Sequence, residues 1–416
     1  MACKGSGVQI PSAPLKNMKK FVLETKELLF SQGIVAILAI VQIRIVAKTL
    51  GPESYGVIGV YLGFIALSFR LLNSRNSDLI LINHKNLEKN FLLSSIFFEL
   101  CLGIISSLII LVVLTLQISL NFFGVASVPD FIYLFIFSRI FFNILEVIKG
   151  VYTFNEELKA YSLIEVFSSI VRFILIVIFI LNEPSVASFF YALSFHQFFI
   201  STFVFFLLIR NNKSRYEMMG FKDYIKNSKS DFLKIRTDQI IGLIPSHLDV
   251  VIIGYYADFY SAGIYRIAKK LVDPINYLVV AFSPWMLSKI EKINFRYLSL
   301  KILLPISIIL IAFYTLIGKY LINLVAGTDF SESYNPMLLL LFGYISYLMF
   351  FWTRHYLFMN NLILKHTIAR LINLFIFIIS SGLLIKTFFY NGIAISISLG
   401  MIAQKIYELF AYYRNK

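Results

Sequence analysis

Residues 50–65 of the chain read LGPESYGVIGVYLGFI and join two long apolar runs. Almost nothing separates the runs except Gly51, Pro52, Glu53 and Ser54, and Gly and Pro favour tight turns. The stretch therefore predicts two apolar helices that form a hairpin with a short loop. Taken alone, these residues indicate turn geometry and close helix packing, not chemistry.

A second stretch, YYADFYSAGIYRIAKKL at residues 255–271, resembles the first at an offset of 207 residues. The aligned pairs are Gly56 with Gly263, Val57 with Ile264 and Gln32 with Gln239. The offset is half of the chain and, by the count below, six membrane spans. Because six is even, the two copies have the same orientation, as in transporter repeats related by an axis along the membrane normal. The repeat predicts two six-helix lobes.

The composition is that of a membrane protein. Hydrophobic residues make up 58% of the 416 residues and charged residues only 15%, against about 45–50% and 25% in soluble domains. The formal net charge of +15 is therefore not in itself a sign of nucleic-acid binding, since basic residues of membrane proteins collect in cytoplasmic loops.

A helix that crosses the bilayer needs roughly 20 apolar residues. The chain offers about 12 such runs, so we predict an all-α, polytopic membrane protein with two six-helix lobes related by pseudo-two-fold symmetry. The predicted spans are 27–48, 55–73, 91–118, 128–148, 160–182, 187–209, 235–256, 262–286, 298–318, 336–353, 362–385 and 388–410, and the ninth could extend to residue 325.

The Lys and Arg residues test this count independently, because they mark cytoplasmic loops. With cytoplasmic N- and C-termini, nearly all of them fall in inside segments, and Lys319 and Lys386 are the main exceptions. The most basic segment separates the lobes, which gives four predicted regions: a non-native or disordered extension (1–17), the N-terminal lobe (18–209), a cytoplasmic linker (210–234) and the C-terminal lobe (235–416). Met18 is the expected native start.

Charged residues inside the spans are the candidates for function, because a charge at the centre of a membrane helix costs roughly 2.5–3.5 kcal/mol by insertion scales. Several share a helical face at spacings of three, four and seven residues. One interpretation is a cavity lined with cations that binds an anionic substrate, with phosphate the first candidate. The candidate substrate-binding residues are Arg44, Arg139, Arg172, Arg266, Lys269 and Lys270.

Two other interpretations stay open. The charges could pair with one another in structural ion pairs, and residues near helix ends, such as Arg44 and Arg266, could extend to the interface. The expected pairs are Arg139 with Glu146, Glu165 with Arg172 and Lys269 with Asp273. Alternatively, acidic residues could bind a coupling proton or sodium ion, as membrane carboxylates do in transporters. Those candidates are Glu146, Glu165, Asp249 and Asp273.

Other site types lack support in the sequence. The two cysteines cannot form a disulfide framework or a metal site, and the histidines have no metal-binding spacing, so we interpret each histidine as a buried, hydrogen-bonded side chain. Phosphate-binding loops and nucleophile motifs are missing. We therefore expect no enzyme activity, no metal and no cofactor, apart from coupling to a proton or sodium gradient.

The stretches IVAKTLGPESYGVIGVYLGFIAL and LDVVIIGYYADFYSAGIYRIAKKLVDPINYLVVAFSPWM resemble the Wzx-type O-antigen and polysaccharide flippases of the multidrug/oligosaccharidyl-lipid/polysaccharide exporter superfamily. The resemblance covers the chain from Met18 onward. It implies two six-helix lobes around a cationic cavity, and transport of an undecaprenyl-diphosphate-linked oligosaccharide across the bacterial inner membrane by alternating access. It also implies lipid partners and, in the same process, a polysaccharide polymerase and a chain-length regulator.

Two rival functions remain. A polysaccharide polymerase of the same pathways generally carries a large periplasmic loop, whereas the predicted outer loops are short here. A drug or cation exporter of the same superfamily should have an acidic cavity, whereas the charges inside these spans are mainly basic.

Overall fold

A computed structural model describes residues 17–72, 91–116, 127–145, 147–148, 152, 158–211, 240–276, 278–279, 295, 298–360 and 362–415. These residues are almost entirely helical and include no strand, so the predicted all-α class is confirmed. The helices are α1 (Asn17–Leu72), α2 (Phe91–Thr115), α3 (Asp130–Phe142), α4 (Leu158–Asn182), α5 (Val186–Asn211), α6 (Ile240–Tyr256), α7 (Phe259–Val272), α8 (Leu304–Val325), α9 (Tyr334–Met349), α10 (Phe351–Met359) and α11 (Ile363–Arg414).

Helical residues coincide with all twelve predicted spans over the part of the chain that is described. Helix α1 holds the first two spans and breaks at Gly51, whose φ of 75° is one that glycine adopts without a steric penalty. Pro52 then begins the second span, where its missing N–H is harmless. Helix α11 holds the last two spans and breaks at Phe389, with φ 46°. Seven described helices are long and apolar enough to cross a membrane.

Some boundaries differ from the prediction. The eighth span begins at Phe259, because Asp258 caps the helix and its side chain accepts a hydrogen bond from the Ser261 backbone at 2.6 Å. The ninth extends to Val325, the longer of the two predicted ends, whereas the tenth continues beyond its predicted end through α10 to Met359. Of the predicted extension and linker, residues 1–16 and 212–234 lie outside the described residues, so the region boundaries there stay a prediction.

The two copies of the repeated stretch lie against each other. A methyl group at Gly56 would collide with the carbonyl oxygen of Phe259, and one at Gly263 would collide with that of Pro52. Phe259 and Pro52 are themselves related by the 207-residue offset. We call this contact, formed by Pro52–Gly56 and Phe259–Gly263, the glycine seam. It places the two turns side by side at one end of the molecule, as expected if the two halves have the same orientation.

Aromatic and aliphatic side chains extend the contact between the halves. The Tyr55 ring meets the Phe330 ring edge-on at 5.9 Å, and both side chains are buried. Farther along the same face of α1, Gly63 lies close to His247 and Val251 of α6. The small residues of α1 thus allow α6 and α7 of the second half to approach closely.

Candidate anion-binding site between the two halves

The site is built around the end of α7. This helix stops at Val272, just before Asp273 and Pro274, in the middle of the predicted eighth span. Asp273 keeps right-handed helical dihedrals (φ −48°, ψ −34°) and helical residues resume at Pro274, so the break is local and reflects the N–H that proline lacks. Lys269 and Lys270 occupy the last turn, where the negative end of the helix dipole stabilises cations.

Each lysine belongs to a group of three side chains. The Lys269 ammonium lies 2.5 Å from Asp249 Oδ2, which also accepts a hydrogen bond from the Tyr265 hydroxyl at 2.8 Å. The Lys270 ammonium lies 3.1 Å from Asp273 Oδ2, while the other oxygen of this carboxylate accepts a bond from the Tyr344 hydroxyl at 3.0 Å. The expected pair of Lys269 with Asp273 does not form, because Asp249 on the neighbouring helix α6 takes that ammonium.

The first half contributes Arg70 at the end of α1. Its guanidinium lies 3.1 Å from His247 Nε2 on α6. Arg70, Lys269 and Lys270 all act electrostatically on this imidazole. We call the set the basic cluster; its members are Arg70, His247, Asp249, Lys269, Lys270 and Asp273. Within this set of described residues, three side chains that are normally cationic thus lie near two carboxylates, and both halves contribute to it.

The two lysines differ in how far a ligand can reach them. The Lys270 side chain is 46% exposed and its partner Asp273 is 25% exposed, whereas Lys269 is 17% exposed and Asp249 fully buried. The Lys269 ammonium also donates to the Ser246 carbonyl at 2.7 Å. An anion can therefore replace Asp273 beside Lys270 at small cost, since exposed ion pairs contribute only about 0–1 kcal/mol. Lys269 is instead fixed in a structural pair.

Arg139 and Arg172 lie in a separate cluster of the first half. Both are half-buried, and both act electrostatically on the buried His196, which contacts Ser168 Oγ at 3.0 Å. The Arg139 guanidinium also lies 4.9 Å from the Phe142 ring centre. Glu165 is half-buried on α4, on the same face as Arg172. Glu146 lies outside the described residues.

The two remaining candidates lie in the contact between the halves. Arg44 donates a hydrogen bond to the Leu324 carbonyl at the end of α8. Arg266 donates to the Tyr55 carbonyl at 3.1 Å, and its guanidinium lies 4.6 Å from the Tyr55 ring centre. Its chain fills the space beside Gly59, where a methyl group would lie 2.8 Å from Arg266 Cδ. Both arginines join the halves near the glycine seam.

Sequence reasoning did not assign Arg70 or His247 to the site. The sequence places Arg70 among the cytoplasmic basic residues and predicts a buried, hydrogen-bonded His247; His247 is half-buried and contacts Arg70. The sequence does contain one indication that Arg70 faces the other half: it lies on the same helical face as Gly56, Gly59 and Gly63. A face that packs against the other half carries any charged residue on it toward that half.

The chain is similar to known proteins in sequence family and in fold. A family model described as "Polysaccharide biosynthesis protein" matches residues 45–335. No curated protein is significantly similar in sequence. Among solved structures, the fold is similar to that of the lipid II flippase MurJ in an inward closed conformation, with TM-score 0.72 and 18% identity over 94% of this chain and 87% of that chain.

Two other similar structures are transporters of the MOP superfamily. One is a multidrug resistance MATE family transporter in an inward-facing conformation, with TM-score 0.67 and 17% identity over 91% of this chain and 94% of that one. The other, from Pyrococcus furiosus, is described as having a binding pocket of reversed polarity, with TM-score 0.66 and 16% identity over 95% of each chain. Such identities show the fold alone, and they confirm the predicted twelve-helix, two-lobed architecture. The family model covers most of the sequence, and the chain therefore belongs to the polysaccharide biosynthesis protein family, with the fold of MOP superfamily transporters.

Proposed function

We propose that this protein is a flippase that moves undecaprenyl-diphosphate-linked oligosaccharide units, such as those of O-antigen or capsule, across the bacterial inner membrane. The single observation that carries the proposal is the basic cluster, in which both halves place cationic side chains together. Family membership and the similarity to a lipid II flippase support a lipid-linked substrate.

The proposed mechanism is electrostatic. The lipid chain stays in the bilayer, and the diphosphate enters between the halves, where Lys270 and Arg70 replace part of its hydration. Lys269 keeps the helix end in place through its buried pair with Asp249. Because Arg70 belongs to one half and Lys270 to the other, an anion that contacts both holds the halves together on that side. Alternating access then opens one end of the site and closes the other.

Other elements of the prediction remain proposals of the same kind. Arg139 and Arg172 would contact a second part of the anionic headgroup, and Arg44 and Arg266 would control how the halves close. Proton or sodium coupling through Glu146, Glu165, Asp249 or Asp273 is likewise proposed, as is cooperation with a polysaccharide polymerase and a chain-length regulator. The described carboxylates Asp249 and Asp273 hold lysines, so a coupling ion would have to compete with an ammonium group.

Purified protein in proteoliposomes provides the direct test. Fluorescent undecaprenyl-diphosphate-oligosaccharide is added, and its transfer between leaflets is followed by quenching from one side. A variant with both Arg70→Ala and Lys270→Ala should lose roughly 100-fold or more in rate, because hydrogen bonds to charged groups contribute about 1.5–3 kcal/mol each and two are removed. Lys386→Ala is the matched control, since this exposed lysine lies far along the chain from the basic cluster. Equal rates in the double variant and the control would contradict the proposal.

A measurement in cells distinguishes the rivals. In a mutant that lacks this chain, a leaflet-specific probe should find lipid-linked units trapped on the cytoplasmic side. Single units that reach the cell surface but never lengthen would instead indicate a polymerase. Normal surface polysaccharide combined with loss of resistance to cationic compounds would indicate a drug exporter.

A further inference from the structure

A second group of charged side chains is buried in the last two spans, at a distance in sequence from the basic cluster. The Lys405 side chain is 2% exposed, Glu408 is fully buried, and the His366 side chain is 1% exposed. Thr353 at the beginning of α10 and Gln404 are buried with them. We call these five residues the His366–Glu408 network. Buried charged groups are costly even when they are paired, so their presence points to a use.

The contacts fill the hydrogen-bonding capacity of the Glu408 carboxylate. Oε1 lies 3.0 Å from His366 Nδ1 and accepts from Gln404 Nε2 at 3.0 Å. Oε2 accepts from the Lys405 ammonium at 2.7 Å and contacts the Thr353 hydroxyl, whose one proton is also directed to the Phe350 carbonyl at 2.7 Å. An ionised carboxylate has about four acceptor sites, and each of them faces a donor group here. Glu408 is therefore held as an anion, and Lys405 balances its charge.

This assignment determines the state of the histidine. To donate to the ionised carboxylate, His366 must carry its proton on Nδ1, so the lone pair of the neutral ring is on Nε2. With a neutral imidazole, the charges of Lys405 and Glu408 cancel and the network has no net charge. A proton added to Nε2 creates a buried excess charge close to the Lys405 ammonium. Protonation therefore favours an arrangement in which water reaches the network.

The network also joins separate helices at one end of the second half. Thr353 lies in α10, His366 lies near the start of α11, and Glu408 lies near its end, after the break at Phe389. By the charge distribution of the loops, this is the predicted cytoplasmic end. Titratable or charged groups near it among the described residues include Tyr347, whose ring centre lies 4.5 Å from the Lys405 ammonium, Arg354 and His355 of α10, and Lys365 and Arg370 of α11.

We propose that His366 is a proton-binding residue and that its protonation from the cytoplasmic side loosens the helix ends held by Glu408. The proton binds to Nε2, and no other covalent bond forms or breaks. The loosened ends open the second half toward the cytoplasm, which would favour entry of a substrate. The proton binding itself does not depend on the proposed function, whereas its effect on lipid transport does.

A tryptophan beside the network allows a test without any substrate. The chain has two tryptophans, and Trp285→Phe leaves Trp352 as the only one. Trp352 precedes Thr353, is 2% exposed, and donates from Nε1 to Ser299 Oγ at 2.8 Å. Entry of water should shift its emission to longer wavelength as the pH falls. The pH at which half of the shift has occurred gives the midpoint of the transition.

Three variants in the Trp285→Phe background decide the result. His366→Gln should abolish the transition, whereas His355→Gln, the matched control on α10, should keep it. Lys405→Met retains His366 but removes the counter-ion of Glu408, so a protonated imidazole is favoured and the midpoint should move to higher pH by about one unit or more. This arm remains informative if His366→Gln does not fold.

A transition that persists in His366→Gln, a Lys405→Met midpoint that does not move, or no transition in the parent would each overturn the inference. Flipping in proteoliposomes over the same pH range adds the functional arm. The fluorescence transition without lipid transport would count against the proposed function alone. Transport with a pH dependence that His366→Gln removes would support both.

Discussion

The glycine seam makes the most specific demand on the sequence, and Gly263→Ala tests it. The added methyl group would lie 3.2 Å from the Gly56 nitrogen and would collide with the Pro52 carbonyl. The reciprocal change, Gly56→Ala, would bring a methyl group to 2.8 Å from the Gly263 nitrogen. The obstructing atoms belong to the backbone, so no side-chain rotation relieves the contact. The helices must move apart.

The magnitude follows from the cost of overpacking. Extra methyl groups in well-packed regions cost about 1–3 kcal/mol, which changes an equilibrium by roughly 5- to 150-fold. The two halves touch at the seam, beside the turns. The population of the state in which this end is closed should therefore fall by the same factor. Most of the effect should appear in the balance between open and closed states, because the interior of each half is unchanged.

Thiol labelling measures this balance. Val60 is fully buried and packs against Gly254 across the contact, so Val60→Cys reports on closure. With Cys3→Ser and Cys101→Ser, a membrane-impermeant maleimide added at the seam side should label the parent slowly. Labelling should be at least about fivefold faster with either glycine variant.

Gly382→Ala is the matched control for these variants. It makes the same change within helix α11, where a methyl group would meet no atom within 4 Å. Labelling of the control should equal that of the parent. If Gly263→Ala is labelled as slowly as the parent, the close packing of the glycine seam is refuted. If only one of the two glycine variants is labelled faster, the pseudo-symmetry of the seam is refuted.

Four further substitutions test other contacts. Arg266→Met removes a charged hydrogen bond across the seam, so labelling should rise about tenfold or more; an unchanged rate would contradict this role. Lys269→Met leaves the buried Asp249 carboxylate without its ammonium and should lower the free energy of unfolding by about 3–5 kcal/mol, whereas Lys270→Met should lower it by at most about 1 kcal/mol. Thermal unfolding in detergent measures the stability of both variants. Equal losses of stability would show that the buried Lys269–Asp249 pair contributes no more than the exposed Lys270–Asp273 pair. Asp258→Ala removes the cap of α7 and should cost about 0.5–2 kcal/mol in the same experiment, with no change expected if the cap is unimportant.

The architecture was predictable because hydropathy and loop charge each constrain it. The spans follow from the length of apolar runs, and the repeat aligned Gly56 with Gly263 before any contact between them was known. Helix breaks at Gly51 and Pro52 follow from their backbone preferences. In these places the information is local, so the sequence is sufficient.

The partners of the charged residues were not predictable in the same way. Lys269 could reach Asp273 on its own helix, yet it pairs with Asp249, because the packing of α6 against α7 decides which carboxylate is nearer. Arg266 bonds to a backbone carbonyl, an acceptor that every residue provides. Lys405 and Glu408 were overlooked within an apolar run, although their spacing of three residues places them on one face.

The seam also resembles an interface between two identical subunits. Phe259 meets Gly56 as Pro52 meets Gly263, which is the reciprocal pattern of an isologous contact in a two-fold dimer. Each half therefore presents a surface that matches a copy of itself as well as its neighbour in the chain. Because the halves recognise each other through this shared pattern, two separately expressed halves should reassemble, and the linker would then serve mainly to keep their numbers equal.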